Sequence, residues 1–264
     1  RMNISKAKMS ADKANLDTHK TVETWQDELR LVAHSEKIPD LMRFFKTGRG
    51  EYGEGDIFIG IYVPDNRRIS KGYAVLSLCE IGRMLDSPVH EFRLAGFLAL
   101  VEKYRKSPQS YKGEIADFYF ANCHKANNWD LVDLSTEYIL GVEYANGNRL
   151  EELNTLINSD NLWRQRVAMV AMLTPVRQGI LDLPLSVADM LLEHPHNLMQ
   201  KAVGWVLREV GKKDMARLID YININIHRIS PVTLSYATEK MSKDKRDALR
   251  LMRRQYKKQI LPVR

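Results

Sequence analysis

The sequence predicts an all-α fold, an α-solenoid of antiparallel helix pairs in HEAT-like repeats, curved so that one face is concave. Apolar residues recur with the 3.6-residue period of helices from Ser70 onward, and no convincing run alternates polar and apolar residues as a strand would. Helix start signals also return at short intervals. The HEAT-like interpretation rests on helix lengths, since no strict sequence period is present, and a compact helical bundle is the alternative.

Residues that favour the first turn of a helix divide the chain into short segments. Ser, Asn and Asp side chains accept hydrogen bonds from first-turn amides, and proline fits the first helical position. On these signals, helices are predicted to begin at Ser87-Pro88 (running to about Lys106), Ser107-Pro108, Asn128, Asp160, Ser186 and Ser230-Pro231. Short turns between such helices are typical of antiparallel pairs.

One segment interrupts the helical pattern. Residues 47–56 read TGRGEYGEGD, which predicts a loop, and the apolar stretch 57–63 follows it. A phosphate-binding P-loop would end in Gly-Lys-Ser/Thr at the start of a helix, and that ending is missing here. Two glutamates inside the loop also oppose phosphate binding. The sequence therefore argues against nucleotide hydrolysis.

Composition indicates one globular protein. The 264 residues are 44% hydrophobic and 28% charged, and we expect a single α-helical domain over residues 1–264, with residues 1–20 flexible. The polar N-terminus predicts no secretory signal, and no apolar run is long enough to suggest a membrane span. Two cysteines are too few for a disulfide framework or a Cys-based zinc site, so we expect no metal, no other cofactor and an intracellular, cytoplasmic location.

Positive charge is concentrated at the C-terminus. The formal net charge is +7, and residues 240–264 contain ten Lys or Arg against two Asp or Glu. The remaining residues are close to neutral. A basic C-terminal helix or tail of this kind suits an anionic polymer. A solvated amphipathic helix with basic residues near its C-terminus is the alternative.

The segment around 201–212 places a tryptophan on the polar side of its predicted helix. Projection at 100° per residue puts an apolar arc on one side, made of Ala202, Val203, Val206, Leu207 and Val210. The opposite side carries Lys201, Trp205, Arg208 and Lys212. A tryptophan is usually a core residue, but one flanked by Lys and Arg is suited to hold a planar ring beside a phosphate backbone.

The helix predicted after Asn128 shows a similar arrangement. Its core arc is predicted to contain Leu131, Leu134 and Tyr138, with Val132 and Ile139 at one edge. Trp129 and Asp133 lie on the other side, four residues apart and therefore adjacent. The pair could bind a cation through the ring face and the carboxylate. Alternatively, Trp129 covers a neighbouring helix and Asp133 only complements the helix N-terminus.

Arg166 is a cation on an apolar flank. It is predicted beside Met169, Val170 and Leu173, where a guanidinium needs an anionic partner. That partner is either a protein carboxylate, in a structural interhelical salt bridge, or a phosphate. No His/Cys cluster has metal-ligand spacing; the 194–196 His-Pro-His segment is interpreted as a loop.

These stretches together resemble the AlkD-like alkylpurine DNA glycosylases, a bacterial repair family with HEAT-like repeats. The resemblance rests on FFKTGRGEYGEGD (44–56), HEFRLAGFLALVEKYRK (90–106), NWDLVD (128–133), LWRQRVAMV (162–170), QKAVGWVLREVGK (200–212) and SPVTLSYATE (230–239). The combination covers most of the chain from about residue 40 to 250. It implies that the concave face binds DNA.

The resemblance also implies roles for single residues. Trp129 and Trp205 look like the aromatic walls that contact the lesion nucleotide, and Asp133 looks like the catalytic carboxylate. Arg166 resembles the cation that supports Asp133 and the DNA backbone. Phe44 stands where some members place a Tyr against the DNA, and Asn128 where some have another Trp. Further phosphate contacts are expected from Lys46, Lys201, Arg208 and Lys212.

The implied activity is a hydrolase, an alkylpurine DNA N-glycosylase. It would excise cationic N3- and N7-alkylated purines (3-methyladenine, 7-methylguanine) from duplex DNA without rotating the base out of the helix. We expect a monomer, associated with the nucleoid and not with a membrane. The alternative is a non-catalytic HEAT-repeat module that binds DNA or another protein.

Overall fold

The computed structural model describes residues 20–260, with side chains as far as Tyr256, and most of this range is helical. Its contacts divide it into two compact units, unit 1 ending at Ser135 and unit 2 beginning at Thr136. The helices of unit 1 are α1 (Val22–Leu31), α2 (Ile38–Phe44), α3 (Val63–Ser70), α4 (Leu78–Leu85), α5 (His90–Lys106), α6 (Gln109–Asn122) and α7 (Trp129–Asp133). Those of unit 2 are α8 (Leu140–Ala145), α9 (Leu150–Ile157), α10 (Leu162–Ala171), α11 (Leu173–Arg177), α12 (Asp182–Leu191), α13 (Asn197–Lys213), α14 (Met215–Ile224), α15 (Pro231–Ala237) and α16 (Lys243–Ile260).

The all-α prediction is confirmed. Within residues 20–260, the only sheet-like pairing is an isolated bridge between Ile57 and Val89, and no strand forms. In each unit, short helices pack against helices near them in the chain, which is the packing an α-solenoid requires. No helix in this range has the length and apolar composition needed to cross a membrane. Residues 1–19 and 261–264 lie outside the described range, so most of the segment predicted to be flexible and the end of the basic tail are not described.

Unit 1 is built around α5. The buried residues of this helix run without a break from His90 to Leu100. Helices α3, α4 and α6 pack on it, so the polar side chains in that stretch, those of His90, Glu91 and Arg93, are surrounded by protein. Polar groups in that position must be paired with one another or with backbone, and this requirement determines the geometry of the candidate site.

Unit 2 is built around α13. The predicted apolar arc is confirmed, because Ala202, Val203, Val206, Leu207 and Val210 are all fully buried. Helix α15 packs closely against α13 at Gly204, where an added Cβ would lie 2.7 Å from the carbonyl oxygen of Thr233 and 2.5 Å from Cβ of Tyr236. The glycine therefore brings the two backbones into contact one residue before Trp205.

Several predicted helix starts are confirmed. Ser230 caps α15 by accepting a hydrogen bond from the Thr233 amide at 3.0 Å. Helix α5 ends at Lys106 as expected, but it begins at His90, after the predicted start at Ser87-Pro88. Helix α6 begins directly after Pro108. The fourth start lies one residue later than Asp160, because Asn161 caps α10.

Two other expectations were wrong. Ser186 lies inside α12, which begins at Asp182 with Pro184 in its first turn; proline there needs no amide partner and starts the helix earlier. Tyr138 is not a core residue, since 46% of it is exposed. Helix α7 stops at Asp133 and a 3₁₀ turn follows it, so the 3.6-residue period used to place Tyr138 no longer applies.

Candidate functional site

Asn128 determines where α7 begins and where it lies. The residue is fully buried with extended backbone, and its side-chain oxygen accepts a hydrogen bond from the Trp129 amide at 2.8 Å. Its side-chain amide donates to the carbonyl oxygen of Phe45 at 3.3 Å. Asn128 therefore caps α7 and also attaches it to the segment that follows α2, which gives the asparagine at this position a structural role.

The glycine-rich loop packs against this attachment. The Gly53 amide donates to the carbonyl oxygen of Lys46 at 2.9 Å. A Cβ at Gly53 would lie 2.4 Å from the carbonyl oxygen of Phe45 and 3.2 Å from the side-chain nitrogen of Asn128. Only glycine allows the loop to approach so closely.

The two glutamates of the loop bind its own backbone. Glu51 accepts a hydrogen bond from the Gly48 amide at 2.9 Å, and Glu54 accepts one from the Gly50 amide at 2.8 Å. The amides that a phosphate would need are thus used by carboxylates of the loop itself. The predicted loop over residues 47–56 is confirmed.

An aromatic cluster surrounds Trp129. Its ring stacks on Phe45 with centroids 5.4 Å apart and meets the edge of Phe44 at 5.6 Å. Phe45 also stacks on Phe58, which in turn stacks on the His90 ring at 4.4 Å. Stacked and edge-on pairs at these distances are favourable beyond the area they bury. Phe44 and Phe45, at the end of α2, therefore fix the orientation of the Trp129 ring.

Phe44 and Lys46 lie at the exposed end of α2. Phe44 is 61% exposed although its ring touches Trp129. Lys46 is also exposed and has a left-handed backbone, with φ of 56°. Both side chains are accessible to a partner, as their predicted contacts with DNA require.

Below the aromatic cluster, His90 lies between two buried carboxylates. Its Nδ1 is 2.7 Å from Oδ2 of Asp56, and its Nε2 is 2.8 Å from Oδ2 of Asp130. Arg93 pairs with the other oxygen of Asp56 and donates to the side-chain oxygen of Asn127 at 2.9 Å. Two cations thus match two carboxylates in a region that water barely reaches.

This pairing keeps His90 charged. Burial alone would lower its pKa, but the charges and hydrogen bonds of Asp130 and Asp56 outweigh burial and raise the pKa to about 9. For Asp56, burial acts to raise the pKa, while the hydrogen bond and charge of His90 and the charge of Arg93 hold it below its ordinary value. Near neutral pH the cluster is therefore an imidazolium between carboxylates.

Glu91 binds the extended segment after the glycine-rich loop. Its Oε1 accepts hydrogen bonds from the amides of Ile59, Gly60 and Ile61 at 3.1, 2.8 and 3.2 Å. Three amides on one buried carboxylate oxygen satisfy its hydrogen-bonding capacity and stabilise its charge. The apolar stretch predicted after the loop is thus held against α5.

A half-open cavity of about 380 Å³ lies above these groups. It is lined by aromatic, aliphatic and acidic side chains, namely Leu41, Phe44, Phe45, Phe58, Ile61, Tyr62, Val63, His90, Glu91, Leu94, Trp129, Asp130, Asp133 and Leu134. Trp129 and Asp133, predicted as neighbours on one helix face, are both partly exposed and line the same cavity. Among the described residues no group of His, Cys, Asp or Glu is arranged to hold a metal ion.

The other predicted site residues belong to unit 2. Trp205 is partly exposed on α13, opposite the buried arc, as the helix projection predicted. On the same side, Arg208 forms an ion pair with Glu239 and Lys212 pairs with Glu209 at 2.7 Å. The charge of Arg208 lowers the pKa of Glu239. Arg208 and Lys212 therefore already have carboxylate partners that a phosphate would have to displace.

Arg166 links two helices of unit 2. It is buried, and its guanidinium donates a hydrogen bond to the carbonyl oxygen of Leu198, in the first turn of α13, at 2.6 Å. This hydrogen bond joins α10 to α13, the interhelical role expected of Arg166, through a backbone oxygen. A role for Arg166 toward DNA stays a prediction.

Within the basic C-terminal segment, Lys243–Ile260 form α16. Between α15 and α16 is a cleft of about 420 Å³ lined by Pro231, Leu234, Asp247, Arg250, Arg253 and Arg254. Arg253 donates to the carbonyl oxygen of Ile229 at 2.6 Å and is partly buried, whereas Arg254 is exposed. This cleft is the place where the described part of the tail presents several guanidinium groups together.

Comparisons with known proteins agree with the resemblance seen in the sequence. A family model described as DNA alkylation repair enzyme matches residues 25–241. A solved structure, "Predicted DNA alkylation repair enzyme from Enterococcus faecalis", is similar with a TM-score of 0.62 and 19% identity, covering 80% of this chain and 97% of that one. At this identity the likeness shows the fold alone. No curated protein matched the chain.

Proposed function

The chain belongs to the DNA alkylation repair enzyme family, and on that premise we propose that it is a DNA glycosylase for cationic N3- and N7-alkylated purines. Its substrates would be 3-methyladenine and 7-methylguanine in duplex DNA, and its reaction the hydrolysis of the N-glycosidic bond. Membership of the family supports a role in DNA repair. The chemistry of unit 1 supports the more specific assignment.

One observation carries the proposal: Trp129 and Asp133 lie on one turn of α7 and line the same aromatic cavity. An aromatic face attracts a cation by roughly 0.5–2 kcal/mol, depending on exposure. A carboxylate beside it adds charge pairing. A module that only bound the DNA backbone would gain nothing from a carboxylate near phosphates.

The substrate supplies much of the driving force. An alkylated purine with a formal positive charge leaves as a neutral base, because the electrons of the breaking C1′–N bond neutralise its ring. The sugar develops oxocarbenium character, as in glycoside hydrolysis generally. Asp133 would stabilise that charge and accept a proton from the water that adds to C1′. Such preorganised electrostatic stabilisation is strongest where water is excluded.

Unit 2 would contribute DNA contacts. We propose that Trp205 contacts the lesion nucleotide and that Arg166 supports the DNA backbone. Phosphate contacts would come from Lys201, Arg208 and Lys212 of α13, together with α16, and from Lys46 after α2 in unit 1, where the ring of Phe44 would lie against the DNA. Binding would then be strongly salt-dependent, and we expect the protein to act as a monomer.

The decisive experiment is release of 7-methylguanine from methylated duplex DNA under single-turnover conditions. We expect Asp133→Asn to lower the rate by roughly 10²–10³, the usual effect of removing one electrostatic group from an active site. Asp27→Asn is the matched control, since Asp27 is exposed and pairs with Arg30 within α1. Equal, slow release by the wild type and Asp133→Asn would overturn the proposal and leave a non-catalytic binding module.

A further inference from the structure

The glycine-rich loop over residues 47–56 presents an arginine at its tip. Gly48, Arg49 and Gly50 are all exposed. Gly50 has a φ of +79°, in the left-handed region that favours glycine, and an added Cβ there would meet nothing within 4 Å. The tip is therefore a backbone without neighbouring side chains, from which one long cationic side chain extends.

The acidic side chains of the loop bind the backbone of this tip. Glu51 accepts a hydrogen bond from the Gly48 amide at 2.9 Å. Glu54 accepts one from the Gly50 amide at 2.8 Å. An added Cβ at Gly48 would lie 2.8 Å from Oε2 of Glu51, so glycine is what allows that carboxylate to fold over the tip. The loop is thus ordered by its own side chains, which lowers the entropy lost when it binds a partner.

Arg49 is available to a partner. Among the described residues it forms no ion pair or hydrogen bond, although its own loop contains two glutamates. By contrast, the exposed Arg43 in the preceding helix pairs with Asp40 at 3.0 Å. The Arg49 guanidinium therefore has only water to exchange for an anionic surface, and a guanidinium is weakly hydrated compared with an ammonium group.

The base of the loop is attached beside Trp129. Gly53 packs against the carbonyl oxygen of Phe45 and the side chain of Asn128, the residue before Trp129. Arg49 precedes Gly53 by four positions, and four residues span at most about 14 Å. Along one strand of a duplex that distance corresponds to about four base pairs. If Trp129 faces the lesion nucleotide, Arg49 can reach the duplex close to it.

We propose that this loop reads the minor groove of duplex DNA, with the Arg49 side chain inserted beside the lesion. The inference rests on the proposed function, which supplies the duplex. The minor groove is about 6 Å wide, so it admits a single side chain on a glycine backbone more easily than a helix. Its negative potential attracts arginine most strongly where the groove is narrow. Such a contact would sense the shape of the groove while every base stays in the helix.

Two duplexes of one sequence, with guanine or with inosine in the flanks, test the groove directly. Inosine lacks the amino group that guanine places in the minor groove, and its major-groove edge is the same. Binding of the full chain is measured by fluorescence anisotropy. We expect the wild type to bind the inosine duplex about fivefold or more tightly, the lower limit for one base-edge contact. Arg49→Gln should bind the two duplexes equally.

Matched variants separate the groove contact from general effects of charge. Arg67→Gln removes one positive charge from an exposed position of α3 and should keep the preference for inosine. Glu54→Ala frees the Gly50 amide and should weaken binding to the inosine duplex, although it removes a negative charge, because the loop must then be ordered on binding. Glu36→Ala, at another exposed carboxylate of unit 1, should not weaken it. Circular dichroism checks that each variant is folded.

The groove proposal is overturned if the wild type binds both duplexes equally, if Arg49→Gln keeps the preference, or if Arg67→Gln loses it as well. Its failure can be told apart from failure of the glycosylase assignment. Release of 7-methylguanine by a protein without the inosine preference would leave the glycosylase standing and remove the groove contact. A preference that Arg49→Gln abolishes, in a protein that releases no base, would leave a DNA-binding module that uses this loop.

Discussion

The Nε2 atom of His90 lies 2.8 Å from Oδ2 of Asp130, one residue after Trp129. Since the opposite ring nitrogen faces Asp56 at 2.7 Å, the imidazole connects the glycine-rich loop to α7. Helix α7, which carries Trp129 and Asp133, is therefore held in place by the ion pair between His90 and Asp130. The strength of that ion pair depends on pH.

The first prediction concerns this dependence. Pairing raises the pKa of His90 from 6.5 to about 9, so its stabilising contribution is complete below pH about 6.5 and is lost as the pH rises through about 9. The difference in melting temperature between the wild type and His90→Gln should be large near pH about 6 and shrink toward pH about 10. Because the pKa of Asp56 is lowered, its own contribution is lost only in acid. A constant difference over this range would show that His90 is not charged in the folded protein.

The second prediction tests the segment held by Glu91. Gly60 has a φ of +92°, and an added Cβ would lie 2.1 Å from the carbonyl oxygen of His34. Gly60→Ala should therefore lower the free energy of unfolding by more than the roughly 1–3 kcal/mol of backbone strain alone. Gly55→Ala is the matched control, since Gly55 has a φ of +85° and nothing within 4 Å of an added Cβ. If chemical denaturation shows that Gly60→Ala and Gly55→Ala lower the free energy of unfolding equally, the close packing of Gly60 against His34 is contradicted.

The third prediction separates a functional tryptophan from a structural one. Trp163 is buried in α10, whereas Trp205 is partly exposed on α13. Trp163→Ala should lower the free energy of unfolding by roughly 3–5 kcal/mol. Trp205→Ala should change it much less but weaken binding to alkylated duplex DNA by roughly 1–3 kcal/mol, the usual loss of one base-stacking contact. Unchanged DNA affinity in a folded Trp205→Ala protein would remove Trp205 from the site.

The contrast between α13 and α7 shows what the sequence could predict. The arc of α13 was predicted correctly because the helix is long and amphipathic, so period and burial coincide. Helix α7 is only one turn long. The position of Tyr138 was therefore wrongly predicted, because the 3.6-residue helical period does not extend to that residue. The adjacency of Trp129 and Asp133 was nevertheless predicted, since it needs only that single turn.

The supporting residues of the cavity were harder to predict. Phe45, His90 and Asp130 are spread over 86 positions of the chain, and no local pattern relates them. The available signals were the polar residues His90, Glu91 and Arg93 at the start of an otherwise apolar stretch, and the adjacent phenylalanines of the 44–56 motif. Only tertiary packing places His90 between two carboxylates, because burial of one charged group requires partners from other segments.

The fourth prediction concerns the ion pair between Arg208 and Glu239. Because a DNA phosphate would have to displace this carboxylate, Glu239→Gln should increase duplex affinity and Arg208→Gln should decrease it. Glu193→Gln is the control for net charge, since Glu193, in the turn after α12, pairs with Arg228, in the turn after α14. Electrophoretic mobility or fluorescence anisotropy titrations measure the change. If Glu239→Gln and Glu193→Gln raise affinity equally, Arg208 is not a DNA contact.

The last prediction concerns the cleft between α15 and α16. Arg254 is exposed, and the contact of Arg250 with Asp247 is long, at 3.4 Å, so both can exchange solvent for phosphate. Arg253 instead donates to the backbone of Ile229, and burial lowers its pKa. Each phosphate contact contributes about 0.9 to the slope of log affinity against log salt. Arg250→Gln and Arg254→Gln should therefore each reduce that slope by about one contact, whereas Arg253→Gln should mainly lower the melting temperature. A slope that neither Arg250→Gln nor Arg254→Gln changes would place the DNA away from this cleft.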